Sequence, residues 1–249
     1  MQDSSNQHPG GELIDVVVVA AGTGSRMGIA IPKQYLTICN KTIIEHVIVR
    51  FFMHCQRVNR MVVVIAENDE HFGGAMARIR DTLGLQAEKI ITATGGERRQ
   101  DSVYAGLEKC TTSYVMVHDA ARPFLQTQDL EALCKCADEG CEGAILCAPV
   151  SDTIKQGRDM KIERTVDREN LYRALTPQLF RREKLLEAYA KVRESGTHIT
   201  DEAMAMELIG SEVRLVPSSS FNFKITTKED LLLAIALFNL EAEAVAGIL

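Results

Sequence analysis

Four short apolar runs punctuate the chain: Val16–Ala20, Met61–Ala66, Tyr114–Val117 and Ala144–Ala148. Uninterrupted β-branched runs of this kind predict strands covered on both faces, which is the signature of a parallel sheet. Between them lie segments of helical periodicity, about 42–54, 70–83, 98–110 and 127–139. Strand and helix alternating at this spacing predict an open, mostly parallel α/β sheet with helices on both faces and right-handed crossovers. The rhythm breaks after Pro149. Ser151–Arg173 is polar and charged, with little apolar periodicity. A structureless stretch that long is unusual inside a compact domain. An excursion with its own hairpin is expected instead, such as an arm reaching a partner subunit. Regular structure is expected to resume with a helix near 181–194. Thr200 then reads as the N-cap of another helix, with Asp201 and Glu202 in its first turn. Val213–Val216 and Phe223–Ile225 read as short strands, and Thr226 or Thr227 as the cap of a last helix from about 228.

The ends change the picture little. Residues 1–12 are polar, hold Pro9-Gly10-Gly11 and lack an apolar signal core, so they read as a disordered lead. Leu231–Leu240 is apolar but too short to span a bilayer, and Glu241 and Glu243 follow at once, so a docked terminal helix is expected. Residues 13–249 are then expected to form a single domain, with 151–173 as its protruding arm.

Composition narrows the function classes. Of 249 residues, 46% are hydrophobic and 25% charged, as in ordinary globular proteins. Lys plus Arg number 28 against 34 Asp plus Glu, a net charge of −6. A nucleic-acid coat would need the opposite sign, but a local basic pocket for a small anion is compatible with it. The 7 cysteines are odd in number and include no C-x-x-C pair. They read as free thiols in a reducing, cytoplasmic setting, mostly as small buried hydrophobes.

In an open α/β sheet, ligands bind beyond the carboxyl ends of the strands. The first such loop is Ala20-Ala21-Gly22-Thr23-Gly24-Ser25-Arg26-Met27-Gly28, running on to Pro32-Lys33-Gln34. Its glycines allow close backbone approach to phosphates. It lacks the Gly-Lys-Ser/Thr end of a Walker A loop. Met27 stands where a dinucleotide fingerprint needs its third glycine. Arg26 and Lys33 place two cations in one short segment, which suits a triphosphate. A plain βα turn with solvated charges accounts for the same residues. His118-Asp119 ends a strand and precedes Arg122-Pro123. A carboxylate there, facing a phosphate loop, is a natural Mg²⁺ ligand, or else a turn cap. His118 reads as a packed, hydrogen-bonded residue. Gly95-Gly96 suits a tight loop after another strand, with Ser102 either serving a base edge or capping a helix. Lys224, between Phe223 and Ile225, points away from both. It is either a third phosphate cation or part of a polar face.

These runs, in this order, resemble the 2-C-methyl-D-erythritol 4-phosphate cytidylyltransferases over about residues 14–237. The resemblance rests on the Ala20–Gly28 loop with Pro32–Leu36, Gly95-Gly96 through Ser102-Val103, His118–Pro123, Pro149–Lys155 and Thr165–Arg168. It continues through Leu175–Gln178, Thr200–Ala203 and Asn222–Thr226. It implies a Rossmann-like nucleotidyltransferase fold with a protruding β arm. The implied reaction is attack of the acceptor's 4-phosphate on the α-phosphorus of CTP, releasing pyrophosphate, in non-mevalonate isoprenoid synthesis. By position, Arg26, Lys33 and Lys224 would be catalytic, holding the phosphates. Ala20, Ala21, Gly22, Gly24, Gly95, Ser102 and Asp119 would bind CTP, with Asp119 also at Mg²⁺ or another divalent cation. Thr153, Arg122, Arg168, Thr176, Thr200 and Asp201 would bind the polyol phosphate. Ser25 and Glu97 would be structural. The resemblance also implies a homodimer through the arm, with Arg168 in the neighbour's site, and neither nucleic acid nor membrane as partner. A cytidylyltransferase for ribitol 5-phosphate shares most of these motifs, although Thr165–Arg168 and Thr200–Ala203 favour methylerythritol. A catalytically inactive nucleotide-binding protein of the same fold is the remaining alternative.

Overall fold

The structure, a computed structural model, describes residues 11–22 and 31–245. The strands are β1 (Ile14–Val19), β2 (Thr37–Ile38), β3 (Lys41–Thr42), β4 (Val58–Ile65), β5 (Ile90–Thr94) and β6 (Tyr114–Asp119). They continue with β7 (Gly143–Pro149), β8 (Ile154–Arg158), β9 (Lys161–Val166), β10 (Tyr172–Arg181) and β11 (Val213–Pro217). The helices are α1 (Ile43–His54), α2 (Phe72–Leu83), α3 (Arg99–Leu107), α4 (Thr127–Asp138), α5 (Arg182–Ser195), α6 (Glu202–Glu207) and α7 (Lys228–Val245). All four apolar runs lie in strands of one seven-stranded sheet, ordered β11-β7-β10-β6-β1-β4-β5. β1, β4, β5 and β6 are mutually parallel, β11 is parallel to β7, and β10 runs antiparallel between β6 and β7.

Both faces of the sheet are covered, as the unbroken apolar strands require. Phe51 of α1, Ile79 of α2 and Leu133 of α4 pack on one face. Leu107 of α3, Tyr189 of α5 and Ala205 of α6 pack on the other. Alternate residues of β1 supply the two layers: Val16 and Val18 to the first, Val17 to the second. Helix starts follow local chemistry. Thr42 and Glu45 form a reciprocal capping box at α1, and the Asp69 carboxylate accepts the amides of His71 and Phe72 ahead of α2. Cys134, Cys136, Cys141 and Cys147 are buried in the core. The apolar C-terminal run is docked as α7, whose Ala234 and Phe238 join Ile38, Ile43, Phe124 and Ile225 in a third cluster. No helix among the described residues is long and apolar enough to cross a membrane.

Three sequence expectations need correction. Regular structure resumes at Tyr172 with β10, before the helix at 182. Pro177 hides this strand in the sequence, because proline cannot donate to a central ladder. The pairing with β7 is interrupted between Ala174 and Gln178, which leaves the proline room. Phe223–Ile225 is not a strand, because its backbone is held by loops: the Ile225 amide donates to Ala121 O at 2.9 Å. The cap of α6 is Asp201, not Thr200. Asp201 Oδ1 accepts the Met204 amide at 3.0 Å while Gln178 Nε2 holds Oδ2 at 2.9 Å. An ionised acceptor oriented in this way outcompetes the exposed hydroxyl one place earlier.

The polar excursion does carry a hairpin, β8 paired with β9. Its two turn residues, Asp159 and Met160, take φ of 49° and 61°, the left-handed pair that a tight hairpin turn demands. Met160 and Ile162 stand fully or largely exposed on it.

Candidate active site

The strand order decides where a ligand fits. From β1 the chain moves outward to β4 and β5, then returns to β6 on the other side of β1. This reversal opens a crevice at the carboxyl ends of β1 and β6, the usual ligand position in such sheets. A cleft of about 270 Å³ lies there. Ala20, Ala21 and Gly22 leaving β1 form one wall, and Asp119 ending β6 forms the other, with Lys33 and Lys224 between.

The glycine loop is braced from outside. Gln34, whose side chain is buried, donates through Nε2 to Ala20 O at 2.6 Å and Gly22 O at 3.1 Å. Gly95 backs onto the same wall: a Cβ there would stand 2.4 Å from Ala21 Cβ and 2.8 Å from Ser102 Oγ. Only glycine fits that approach. Ser102 turns its hydroxyl toward this loop, accepting the Gly96 amide at 3.2 Å. Gly24 and Arg26 lie outside the described residues.

The opposite wall is ionic. Asp119 is nearly buried, and three cations meet its carboxylate. Lys224 Nζ is 2.9 Å and Arg122 Nε 3.4 Å from Oδ2, and Arg99 Nε is 3.1 Å from Oδ1. Burial alone would raise the Asp119 pKa, but Arg99, Lys224 and Arg122 together hold it far below the usual carboxylate range. Lys33 Nζ donates to Ile225 O at 2.9 Å, which brings it beside Lys224. The 223–225 segment turns Phe223 and Ile225 into the third apolar cluster and Lys224 toward Asp119, as the alternation predicted.

The residues between β6 and β10 form the next layer. His118, fully buried, lies with Nδ1 3.0 Å from Thr176 Oγ1 and Nε2 3.0 Å from Arg122 O. Burial pulls its pKa down to about 4, against partial support from the Arg122 carbonyl. Thr176 Oγ1 also accepts the Asp119 amide at 3.1 Å. Asn222 Nδ2 donates to Thr176 O at 2.8 Å, and Arg122 Nη1 to Asn222 O at 2.9 Å. Arg122, Thr176 and the 222–226 segment are thus stitched around Asp119. Thr200 and Asp201 open α6 on the same side. Thr153 and Arg168 stand exposed at the base of the hairpin, where Arg168 donates to Ser151 O.

Sequence reasoning missed Arg99 and Glu202 as parts of the site. Arg99 opens α3, where the helix dipole disfavours a cation. An arginine in that position needs an acid from elsewhere in the fold, and this was the available signal. That acid is Glu202, whose two oxygens accept Arg99 Nη1 at 2.8 Å and Nη2 at 3.0 Å.

The comparisons with known proteins agree with this geometry. The family model described as 2-C-methyl-D-erythritol 4-phosphate cytidylyltransferase matches residues 14–240. The enzyme of that name from Vibrio atlanticus is 45% identical over 228 residues, covering 90% of this chain and 94% of its own. Its counterpart from Haemophilus ducreyi is 41% identical over 222 residues, covering 89% and 94%. Among solved structures, the cytidylyltransferase from Thermus thermophilus superposes with a TM-score of 0.74 at 30% identity, covering 90% of this chain and 98% of its own. A 4-diphosphocytidyl-2C-methyl-D-erythritol synthase gives 0.75 at 31% identity, covering 91% and 99%.

Proposed function

The chain belongs to the 2-C-methyl-D-erythritol 4-phosphate cytidylyltransferase family, and from that premise we propose how its own residues divide the reaction. The protein transfers the cytidylyl group of CTP to 2-C-methyl-D-erythritol 4-phosphate, giving the cytidine diphosphate derivative and pyrophosphate, in isoprenoid biosynthesis. Attack by a phosphate oxygen on a phosphorus needs little covalent help. It needs alignment of the two anions and neutralisation of the charge that develops between them.

The observation that carries the assignment is the meeting of Lys33, Lys224 and Asp119 at the crevice between β1 and β6. Lys33 and Lys224, with Arg26 from the glycine loop, hold the triphosphate and stabilise the crowded α-phosphorus. Ala20, Ala21, Gly22, Gly24 and Gly95 bring backbone against the nucleotide, and Ser102 keeps that loop in register. The acceptor lies on the β10 side. Arg122 faces it, and Thr176, Thr200 and Asp201 shape its wall. The Thr176 hydroxyl and the Asp201 carboxylate are already engaged within the protein, so their contribution is to orient rather than to carry charge. Thr153 and Arg168 belong to the arm. Two copies pair through this hairpin, whose exposed Met160 and Ile162 touch little of their own chain, and Arg168 reaches the acceptor of the neighbouring copy. Both substrates are soluble anions, and the site works in the cytoplasm.

A divalent cation fits the donor set. Among the described residues no group of three or more His, Cys, Asp or Glu side chains could hold a metal by itself. One carboxylate facing phosphates is the arrangement magnesium favours. Asp119 would hold it, and when bound it would draw charge from the triphosphate. Lys224 and Arg122, which hold Asp119 here, would then be available to the phosphates.

Pyrophosphate release with CTP and Mg²⁺ tests the reading. Methylerythritol 4-phosphate is expected to support turnover and ribitol 5-phosphate is not. Asp119→Asn is expected to lower kcat by about 10²-fold or more. An Asn variant as active as the parent would remove Asp119 from the site.

A further inference from the structure

Glu202 is a fully buried carboxylate with no apparent duty in binding either substrate. Its side chain has 0% exposure, and burying a charge is costly unless every lone pair is met. Here they are met. Arg99 supplies two parallel bonds at 2.8 and 3.0 Å, and the Tyr189 hydroxyl donates a third to Oε1 at 3.0 Å. This bidentate grip uses both terminal nitrogens of Arg99 and leaves Nε, which lies 3.1 Å from Asp119 Oδ1. Arg99 also borders the cleft. Freed from Glu202, its planar fork would have two better offers: both oxygens of Asp119, or a phosphate of the bound nucleotide.

We propose that Glu202 is a positioning residue for cytidylyl transfer: by holding the Arg99 fork it restricts that arginine to one oxygen of Asp119 and keeps the other facing Lys224 and the cleft. The inference rests on the assignment of Asp119 and Lys224 given above. It extends that assignment across the molecule, because Glu202 is the first residue of α6 and follows Thr200 and Asp201 on the acceptor side. Glu202 and Arg99 therefore tie the acceptor side to the end of β6 through one half-buried ion pair. Glu202 acts only through Arg99, and touches neither substrate.

Action through a second residue is measurable as non-additivity. Glu202→Gln keeps the shape but removes the charge and one acceptor. Arg99→Lys keeps a charge but cannot grip Glu202 with two nitrogens and Asp119 with a third. Each is expected to lower kcat by about 10–100-fold and to leave the Kd for CTP, read by calorimetry without acceptor, within about 3-fold. The double variant is expected to be no slower than the slower single. Multiplied losses in kcat, or a Kd for CTP that rises in step with the fall in kcat, would overturn the proposal. Should Glu202→Gln fail to fold, as a thermal melt would show, Tyr189→Phe takes its place: it removes only the third donor and is expected to lower kcat by about 3-fold in an Arg99-dependent manner. An unchanged kcat in Tyr189→Phe, or the same loss in an Arg99→Lys background, would count against it. Failure here is separable from failure of the site assignment, which Asp119→Asn reports alone.

Discussion

The hydroxyl of Thr176 stands 3.0 Å from Nδ1 of His118 and also accepts the amide of Asp119. The Arg122 carbonyl 3.0 Å from Nε2 can only accept, and burial keeps the imidazole neutral, so the proton sits on Nε2 and Nδ1 accepts from the hydroxyl. His118 therefore donates to Arg122 O as a neutral imidazole.

This arrangement sets a pH dependence of stability. The folded pKa is about 4, below the ordinary value of about 6.5. Between these values the unfolded chain binds more protons, so stability falls as pH drops from about 6.5 to about 4. For a fully buried group the total is on the order of 3 kcal/mol. Urea unfolding at stepped pH is expected to show this slope, and His118→Asn to flatten it. A slope unchanged in the variant would assign it to another group. Asp119, whose folded pKa is depressed, acts at lower pH: its contribution is complete above about 3.9 and is lost only as pH falls well below that.

Lys33→Ala separates transition-state binding from ground-state binding. If Lys33 tightens its hold as the α-phosphorus becomes crowded, kcat falls by about 10²-fold or more while the Kd for CTP rises by less than about 10-fold. Equal losses in both would assign Lys33 to simple nucleotide retention.

Two glycines of the nucleotide wall should respond differently. Gly95→Ala drives a methyl group into Ala21 and Ser102 and is expected to weaken CTP binding by about 10-fold. Among the described residues Gly22→Ala meets no atom within 4 Å, and it is expected to leave the melting temperature unchanged. A Gly22→Ala variant that unfolds more readily than Gly95→Ala would reverse this reading of the loop.

The arm predicts a defect confined to the acceptor. Arg168→Ala is expected to raise the KM for methylerythritol 4-phosphate by about 10-fold and leave the Kd for CTP unchanged. Removing residues 154–166 is expected to yield a monomer in sedimentation. A CTP defect in Arg168→Ala would move the arm to the nucleotide side.

Much of this protein follows from local signals. The apolar runs of β1, β4, β6 and β7 and the periodic helices between them encode a covered, mostly parallel sheet. The same strands place Ala20–Gly22 and Asp119 at their carboxyl ends, and alternation at 223–225 turns Lys224 away from its apolar neighbours. Each of these depends on the few residues around it. What the sequence did not disclose depends on contacts across long distances. β10 is a central strand despite Pro177, because its place between β6 and β7 is set by sheet packing and not by propensity. The 222–226 segment is fixed without being a strand, because Ala121 and Arg122 hold it from the loop after β6. Arg99 and Glu202 are 103 positions apart, on helices that share one face of the sheet. Their pairing exists only because packing α3 and α6 on the sheet buries the Glu202 charge against Arg99, and a buried charge must find its partner there.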